Sequence, residues 1–412
     1  MIVIRVEKHR VSKSNEYYCL LDDFCFRSKN LYNHANYVIR NEFCKSKKWI
    51  RCDELDKLLK SDLDYPDYRN MPTAQSAQQI LRLLDKNWKA FFASIKDWKT
   101  HKEKYSGQPK LPKYKNKNGK SILILTNQNV KLCNGYLKFP KVFNGFSIKP
   151  RFITLHNFVS LQQVRFIPKI NHIVVEIVYC IEIPDIKIDT NNYISIDIGV
   201  DNLTTITNNF GEVPFIINGK GLKSKNKYYN KLVSKYKSIS TTVNNQKTTH
   251  RIQRITEKRN YVIDNYLHAA SRIIINYAKD HNVSVIVIGN NKEWKQNSKL
   301  SKKVNQTFCQ IPFSRLIEMI IYKAQELGIS VKVIEESYTS GTSFLDNELP
   351  IKENYNKSRR IYRGLFKSNS GVLINSDVNG SFQIMKKVFP NAYANGIEDV
   401  ALHPVVVNAC NI

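Results

Sequence analysis

Acidic residues stand at the ends of three predicted elements in the C-terminal half of the chain. Asp197 ends an apolar strand in SIDIGVDNL, Glu335 and Glu336 end the strand VKVI, and Asp377 precedes an amphipathic helix in SDVNGSFQIMKK. Carboxylate oxygens are preferred Mg²⁺ ligands, and two ions roughly 4 Å apart can activate water and stabilise a leaving oxygen. The three positions are compatible with metal-dependent phosphodiester hydrolysis, but acids placed in this way are more often helix caps or solvated residues, so the spacing alone is a weak signal.

The composition of the chain predicts a polyanionic partner. Among 412 residues, lysine and arginine total 64 and aspartate and glutamate total 35, which gives a formal net charge of +29. Phosphate contacts made by lysine and arginine release counterions and so favour nucleic-acid binding. A solvated basic surface is the alternative. The apolar fraction of 42% is ordinary for a globular protein, and the length is enough for two or three domains.

The sequence carries no membrane or zinc signature. No apolar run approaches the roughly 20 residues that cross a bilayer. The N-terminus MIVIRVEKHR lacks the basic-then-apolar order of a signal peptide. We therefore expect a cytoplasmic, nucleoid-associated bacterial protein without a membrane partner. The eight cysteines include no CxxC pair, which predicts free thiols and no structural zinc.

The first 190 residues contain two kinds of pattern. Segments within 1–20 and 121–190 are rich in β-branched residues between turn residues, and they predict strands that close a small β-barrel. Residues 21–120 predict a helical insertion, because an apolar stripe from Ala77 to Trp98 follows helical spacing. The insertion ends in a basic linker with interleaved tyrosines, which suits phosphate contact and base stacking or else a solvated loop. The predicted nucleic-acid contacts in this linker are Lys110, Lys113, Lys115 and Lys117.

Residues 191–412 alternate strands with helices, which predicts an α/β domain with a mixed sheet. VSVIVIGN is typical of a buried strand, and PFSRLIEMIIYKAQELG is typical of a helix that ends at glycine. One long basic helix carries Arg254, Lys258 and Arg259. These side chains could line a nucleic-acid channel or form a solvated helix face.

Several motifs together resemble the TnpB family of transposon-encoded, RNA-guided DNA endonucleases, which is related to type V CRISPR effectors. IDIGVDNLTTIT is similar to the family's first RuvC motif, and SDVNGSFQIMKK is similar to its third. EESYTSGTSF resembles the YTS segment, and QVRFIPKINHIVVEIVY and KLPKYK resemble the upstream barrel and linker. The resemblance implies a multidomain α+β fold, with a β-barrel and helical insertion followed by a RuvC-like (RNase H-like) nuclease domain.

The sequence departs from the family pattern at two places. Gly289 ends the strand VIVIG, where most members carry a catalytic glutamate, and the usual CxxC zinc knuckle before Asp377 is replaced by a predicted hairpin without cysteine. The string GNN…WKQ with EESYTS resembles a branch in which the acid has moved to the neighbouring strand. Because a strand alternates its faces, only one of Glu335 and Glu336 can reach the metals; we favour Glu336, with Glu293 as a third candidate.

The resemblance implies a guide RNA derived from the transposon end and a double-stranded DNA target beside a short flanking motif. Asp197, Glu336 and Asp377 would then bind two Mg²⁺ ions and cut guide-matched DNA. Two other functions remain open. Gly289 is compatible with a nuclease-dead, RNA-guided DNA-binding repressor of the same family. A DNA transposase acting directly on transposon ends is the second alternative.

Overall fold

The computed structural model describes residues 1–183, 189–291, 302–393 and 402–410, apart from the side chains of 302–304 and 307. The chain divides into two compact units, Met1–Glu182 and Ile183–Ile412. Both units contain helices and sheets, so the protein is a mixed α/β multidomain protein. None of the helices in these ranges is long and apolar enough to cross a bilayer.

Two antiparallel sheets form the β-structure of the first unit. The larger has the strand order β1-β7-β6-β2 and the smaller has the order β3-β4-β5. Their strands are β1 (Ile2–Ser12), β2 (Leu123–Thr126), β3 (Lys131–Cys133), β4 (Tyr136–Lys138), β5 (Ser147–Ile148), β6 (Phe158–Pro168) and β7 (His172–Glu182).

The predicted closed barrel is not formed, because no hydrogen-bonded ladder joins the two sheets within the described part of this unit. Helices cover the large sheet and supply the burial that closure would otherwise provide. These helices are α1 (Tyr18–Ser46), α2 (Cys52–Ser61) and α3 (Ala74–Thr100). The ring of Phe24 on α1 packs edge-on against Phe143, which contacts Phe166 of β6, and all three rings are fully buried.

Helix α3 begins where the sequence predicts. Thr73 accepts a hydrogen bond from the Ser76 amide, and the Ser76 hydroxyl completes a capping box. The predicted apolar stripe is core at its N-terminal end, where Ala77 and Trp88 are fully buried. The Trp88 indole donates to Asn36 of α1 at 3.1 Å, so this hydrogen bond fixes α3 against α1.

The second unit is built on one mixed six-stranded sheet with the order β12-β11-β8-β9-β10-β16. Strand β11 lies parallel to both β8 and β12, whereas β8 and β9 are antiparallel. The strands of this sheet are β8 (Tyr193–Ile198), β9 (Asn202–Asn208), β10 (Phe215–Asn218), β11 (Val285–Gly289), β12 (Ser330–Ile334) and β16 (Val405–Val407). The mixed sheet that the alternation predicted is confirmed.

Helices cover both faces of this sheet. The apolar side chains of β8 and β11 form one core with α5 and α7, while α8 packs against β8, β9 and β11. A separate three-stranded sheet precedes α8 and confirms the predicted hairpin. The helices are α4 (Lys220–Asn244), α5 (His250–Asp280), α6 (Lys302–Cys309), α7 (Phe313–Gln325) and α8 (Ser376–Val388), and the small sheet comprises β13 (Arg360–Tyr362), β14 (Leu365–Lys367) and β15 (Leu373–Asn375).

Candidate active site

Asp197 lies near the end of the central strand β8, under the first turns of α8. Small residues let the helix approach the sheet here: the Ser195 hydroxyl donates to the Ser381 carbonyl at 2.7 Å. A Cβ atom on Gly380 would stand 3.0 Å from Asp197 Oδ2. Gly380 therefore leaves the space that the Asp197 carboxylate occupies.

Asp377 is held at the start of α8 by its neighbours. The side chain of Asn375 caps the helix by accepting hydrogen bonds from the amides of Asp377 and Val378 at 2.9 and 3.2 Å. Asn202 of β9 donates to Asp377 Oδ2 at 2.6 Å. The Arg360 guanidinium lies 3.6 Å from Asp377 Oδ1. Asn202 and Arg360 thus contact the carboxylate itself, Asn375 holds the backbone of the first turn, and the Asp377 side chain remains partly exposed.

Glu336 follows β12 and reaches into the space next to Gly289. Strand β12 pairs with β11 in parallel, and Gly289 lies opposite Ile334. The point that a Cβ atom on Gly289 would occupy lies 2.8 Å from Glu336 Oε2. That oxygen is buried and has no hydrogen-bond partner. A carboxylate from the neighbouring strand therefore enters the position that a side chain at Gly289 would otherwise fill.

Glu335 differs from Glu336 in exposure and in neighbours. Its side chain is exposed, and Lys387 of α8 donates to its backbone carbonyl at 3.0 Å and to that of Ser337 at 2.7 Å. Lys387 thus holds the backbone on both sides of Glu336 through these two hydrogen bonds. Of the two glutamates, Glu336 is the one whose charge raises the pKa of Asp197.

The charges of the three acids interact. Burial, and then the charges of Glu336 and Asp377, raise the pKa of Asp197 well above its usual range, while Arg360 opposes this shift. Burial raises the pKa of Glu336 to about 7, with Lys387 acting in the opposite direction. Clustered carboxylates that are taken out of water resist ionisation unless a cation accompanies them. The cluster is therefore short of positive charge.

The fit of this cluster to a metal ion rests on its chemistry. In the ranges that the structure describes, no three His, Cys, Asp or Glu side chains stand together as a formed metal cage. Asp197, Glu336 and Asp377 are neighbours, and Glu336 contributes a buried oxygen without a partner. Hard oxygen donors short of positive charge suit Mg²⁺. The donor type of these acids suits a divalent cation, whereas their arrangement within the described residues is not that of a formed metal site.

Two parts of the chain match known protein families. Residues 176–295, from β7 to past β11, match OrfB_IS605, described as a probable transposase. Residues 313–384, which include Glu336 and Asp377, match the TNB domain of Cas12f1-like proteins. These two matches support a relationship to the TnpB-like family, which is related to type V effectors. The comparison with curated proteins found no match.

Solved structures similar to this chain share little sequence with it. A Cas12f1–sgRNA–target DNA complex matches at 14% identity and a TM-score of 0.36, over 93% of this chain and 98% of that one. A CRISPR–Cas12f ternary complex matches at 13% identity and a TM-score of 0.37, over 89% of this chain and 80% of that one. A ternary complex of AacC2c1 with sgRNA and extended non-target DNA matches at 7% identity and a TM-score of 0.33, over 88% of this chain and 67% of that one.

The predicted nucleic-acid residues fall into two groups. Lys110, Lys113, Lys115 and Lys117 in the linker, and Arg254 and Lys258 on α5, have exposed side chains. Arg259 is instead held inside its unit: its guanidinium donates to Asn226 Oδ1 at 2.8 Å and to the Gln310 carbonyl. Arg259 therefore has a structural role that sequence reasoning missed. Glu293 lies outside the described residues.

Residues that position the candidate site were harder to find from the sequence. Asn379 is fully buried, donates to the Thr342 carbonyl and accepts from the Phe344 amide, both at 2.9 Å. It thereby fastens the YTS segment to α8. The asparagine two residues after Asp377 in SDVNG was the available signal. Asn202 and Gly380 carried no comparable signal, because their roles depend on strands and helices far apart in the chain.

Proposed function

We propose that this protein is a transposon-encoded, RNA-guided DNA endonuclease that cuts guide-matched DNA by metal-dependent hydrolysis in its second unit. The proposal includes a RuvC-like arrangement of that unit, in which acids from a central strand, a neighbouring strand and a C-terminal helix share one site. The observation that carries it is the buried, unpartnered Oε2 of Glu336 in the space left by Gly289.

The proposed metal ligands are Asp197, Glu336 and Asp377. Two bound Mg²⁺ ions would supply Lewis acidity for water activation and for stabilisation of the leaving oxygen. Asn202 orients Asp377 through its hydrogen bond to Oδ2, and Lys387 fixes the backbone on either side of Glu336. The Arg360 guanidinium, 3.6 Å from Asp377 Oδ1, would be placed to contact a phosphate oxygen of DNA bound at these carboxylates.

The proposed partners are a guide RNA from the transposon end and a double-stranded DNA target. The net charge of +29 supports polyanion binding, and the match to a probable transposase family supports action on DNA. In RNA-guided nucleases, base pairing reads the target sequence, while the protein reads duplex shape and a short flanking motif. We propose the same division of roles for this chain.

A nuclease-dead, RNA-guided DNA-binding protein is the second candidate, and Gly289 is the observation that favours it. Glycine leaves the usual catalytic position without a side chain. The placement of Glu336 beside Gly289 weighs against this candidate, because a displaced carboxylate restores the oxygen donor. Retention of Asp197 and Asp377 points in the same direction.

A cleavage assay on the purified complex separates these candidates. The protein is co-expressed with RNA from the transposon end and incubated with DNA that carries the guide match beside a randomised flank, in Mg²⁺ or in EDTA. Cleavage that needs RNA, a matching target and Mg²⁺ supports the proposal. Guide-dependent binding without cleavage in Mg²⁺ indicates the nuclease-dead candidate, and RNA-independent cutting of transposon ends indicates a transposase.

A further inference from the structure

A cavity of about 410 Å³ opens on the first unit beside α1. Its walls carry three tyrosines whose rings are largely in water: Tyr37 is 55% exposed, Tyr65 is 58% exposed and Tyr114 is 45% exposed. The volume is in the range of small-molecule sites. Aromatic rings that project into an open cavity offer faces on which a planar ligand can stack.

The floor of this cavity is polar and incompletely paired. The side chain of His34 is only 10% exposed, and its Nδ1 atom has no hydrogen-bond partner. The nearest carboxylate oxygen to that atom, Asp67 Oδ2, is 3.7 Å away, which is too far for a hydrogen bond. Asn30 adds an amide to the lining. Buried polar atoms are normally paired, so this floor has spare capacity to bind a ligand.

Basic residues lie close to the cavity lining, and the backbone of one of them is held in place. The backbone of Lys115 exchanges two hydrogen bonds with the Asn33 side chain on α1, at 2.7 and 3.0 Å. The Arg40 guanidinium lies 5.0 Å from the centre of the Tyr114 ring. The linker is therefore fixed along α1, with Lys113 and Lys115 exposed beside the cavity. A planar ligand that carries phosphate matches this combination of rings and cations.

We propose, on the basis of the nucleic-acid partners in the proposed function, that the cavity binds one unstacked nucleobase of a nucleic-acid strand and that this base is guanine. The tyrosine rings stack on the base. The Asp67 carboxylate accepts hydrogen bonds from guanine N1–H and the N2 amino group together, and the Asn30 amide donates to guanine O6. Adenine, cytosine and uracil do not present two adjacent donors on their Watson–Crick edges, so the carboxylate selects guanine.

A binding assay on RNA-free protein tests the base preference without using cleavage. Fluorescently labelled A-tract hexanucleotides carry one central guanine, inosine or adenine, and anisotropy is measured in EDTA, so the result does not depend on the nuclease. We expect guanine to bind roughly fivefold or more tightly than adenine. Inosine, which lacks the N2 amino group, should lose most of that gain. Parallel ribose and deoxyribose hexanucleotides distinguish an RNA base from a DNA base.

Three variants connect the preference to the cavity. Tyr37→Ala should weaken binding of every hexanucleotide about fivefold or more without changing its salt dependence, because stacking is lost and phosphate contacts are kept. Tyr136→Ala is the control, since Tyr136 is similarly exposed in the same unit but lies outside the cavity. Asp67→Asn should remove the guanine preference while adenine affinity is kept. Each variant is first checked for wild-type melting.

Three results would overturn the proposal. The first is equal affinity of wild-type protein for the guanine, inosine and adenine hexanucleotides. The second is a Tyr37→Ala variant that binds like Tyr136→Ala. The third is an Asp67→Asn variant that folds like wild type and keeps the guanine preference.

Discussion

Glu336 Oε2 lies 2.8 Å from the point that a Cβ atom on Gly289 would occupy. Gly289 ends β11 and Glu336 follows β12, the parallel neighbour of β11, and the absence of a side chain on Gly289 makes room for the Glu336 carboxylate. The glycine and the glutamate therefore work as a pair, so each should be sensitive to changes in the other.

The first prediction concerns Gly289→Ala. The new methyl group would also stand 2.5 Å from Ile384 Cδ1. Both contacts are with ends of flexible side chains, so the fold should survive at a cost of about 1–3 kcal/mol. Displacement of Glu336 should lower the cleavage rate roughly 10- to 100-fold. Gly364→Ala is the control, since nothing lies within 4 Å of its Cβ position. Equal rates for the two variants would contradict the pairing of Gly289 with Glu336.

The second prediction concerns the attachment of the YTS segment to α8. Asn379→Ala removes two buried hydrogen bonds, to the Thr342 carbonyl and from the Phe344 amide. Leaving these backbone groups unpaired should lower the free energy of unfolding by about 1–3 kcal/mol. Urea denaturation measures the change. Asn391→Ala, at an exposed position, should stay within about 0.5 kcal/mol of wild type; a similar loss in both variants would contradict the account.

The third prediction concerns a buried lysine in the core beside the sheet. Burial lowers the pKa of Lys323 to about 8, and its ammonium group donates to the His268 carbonyl at 2.9 Å and to Ser271 Oγ at 2.6 Å. Between pH 8 and the unfolded pKa of about 10.4, the unfolded state binds more protons. This lysine should therefore add stability as pH rises through that window.

Comparison with Lys323→Met isolates this contribution to the pH dependence. Between pH 8 and 10, the free energy of unfolding of the wild-type protein should rise with pH more steeply than that of Lys323→Met, by up to about 1.4 kcal/mol per pH unit. Lys279→Met, an exposed position on α5, should keep the wild-type slope. Urea midpoints measured at several pH values provide the data, and parallel curves for wild type and Lys323→Met would refute the assigned role.

The fourth prediction concerns the basic linker. Glutamine at Lys110, Lys113 and Lys115 together should weaken nucleic-acid binding and flatten its salt dependence, because each lost phosphate contact removes one released counterion. The same triple change at Lys57, Lys60 and Lys86, which are exposed helix positions, should leave the slope unchanged. Affinity is measured as a function of salt concentration. Identical slopes for the linker variant and wild type would indicate that these lysines belong to a solvated loop and do not contact phosphates.

The sequence predicted the local elements better than the contacts between distant ones. An unbroken apolar run indicated the strand β11, and a helical pattern that ends at glycine indicated the helix α7. Both predictions had the correct type and nearly correct bounds, because both signals are local. Closure of the first unit's strands into a barrel was wrong, since strand pairing depends on where the helices pack. The cavity beside His34 left no pattern, because its lining comes from a helix, a loop and the linker.

The candidate site shows the same division. Strand ends and a helix start picked out Asp197, Glu336 and Asp377, because acids at those places are visible in the sequence. The hydrogen bond from Asn202 to Asp377 joins residues 175 positions apart. The fit of Glu336 into the space beside Gly289 depends on the register of two strands. Neither relationship is encoded in any short segment.

The most direct test of the account is Mg²⁺-dependent cleavage of guide-matched DNA by Glu336→Gln, with Glu335→Gln beside it. Glutamine keeps the shape of the side chain and removes the charge that a metal ion needs. We predict that Glu336→Gln loses cleavage while it still binds RNA and guided DNA, and that Glu335→Gln, at an exposed position, cuts nearly as well as wild type. A Glu336→Gln protein that cuts at the wild-type rate would contradict the relocated carboxylate.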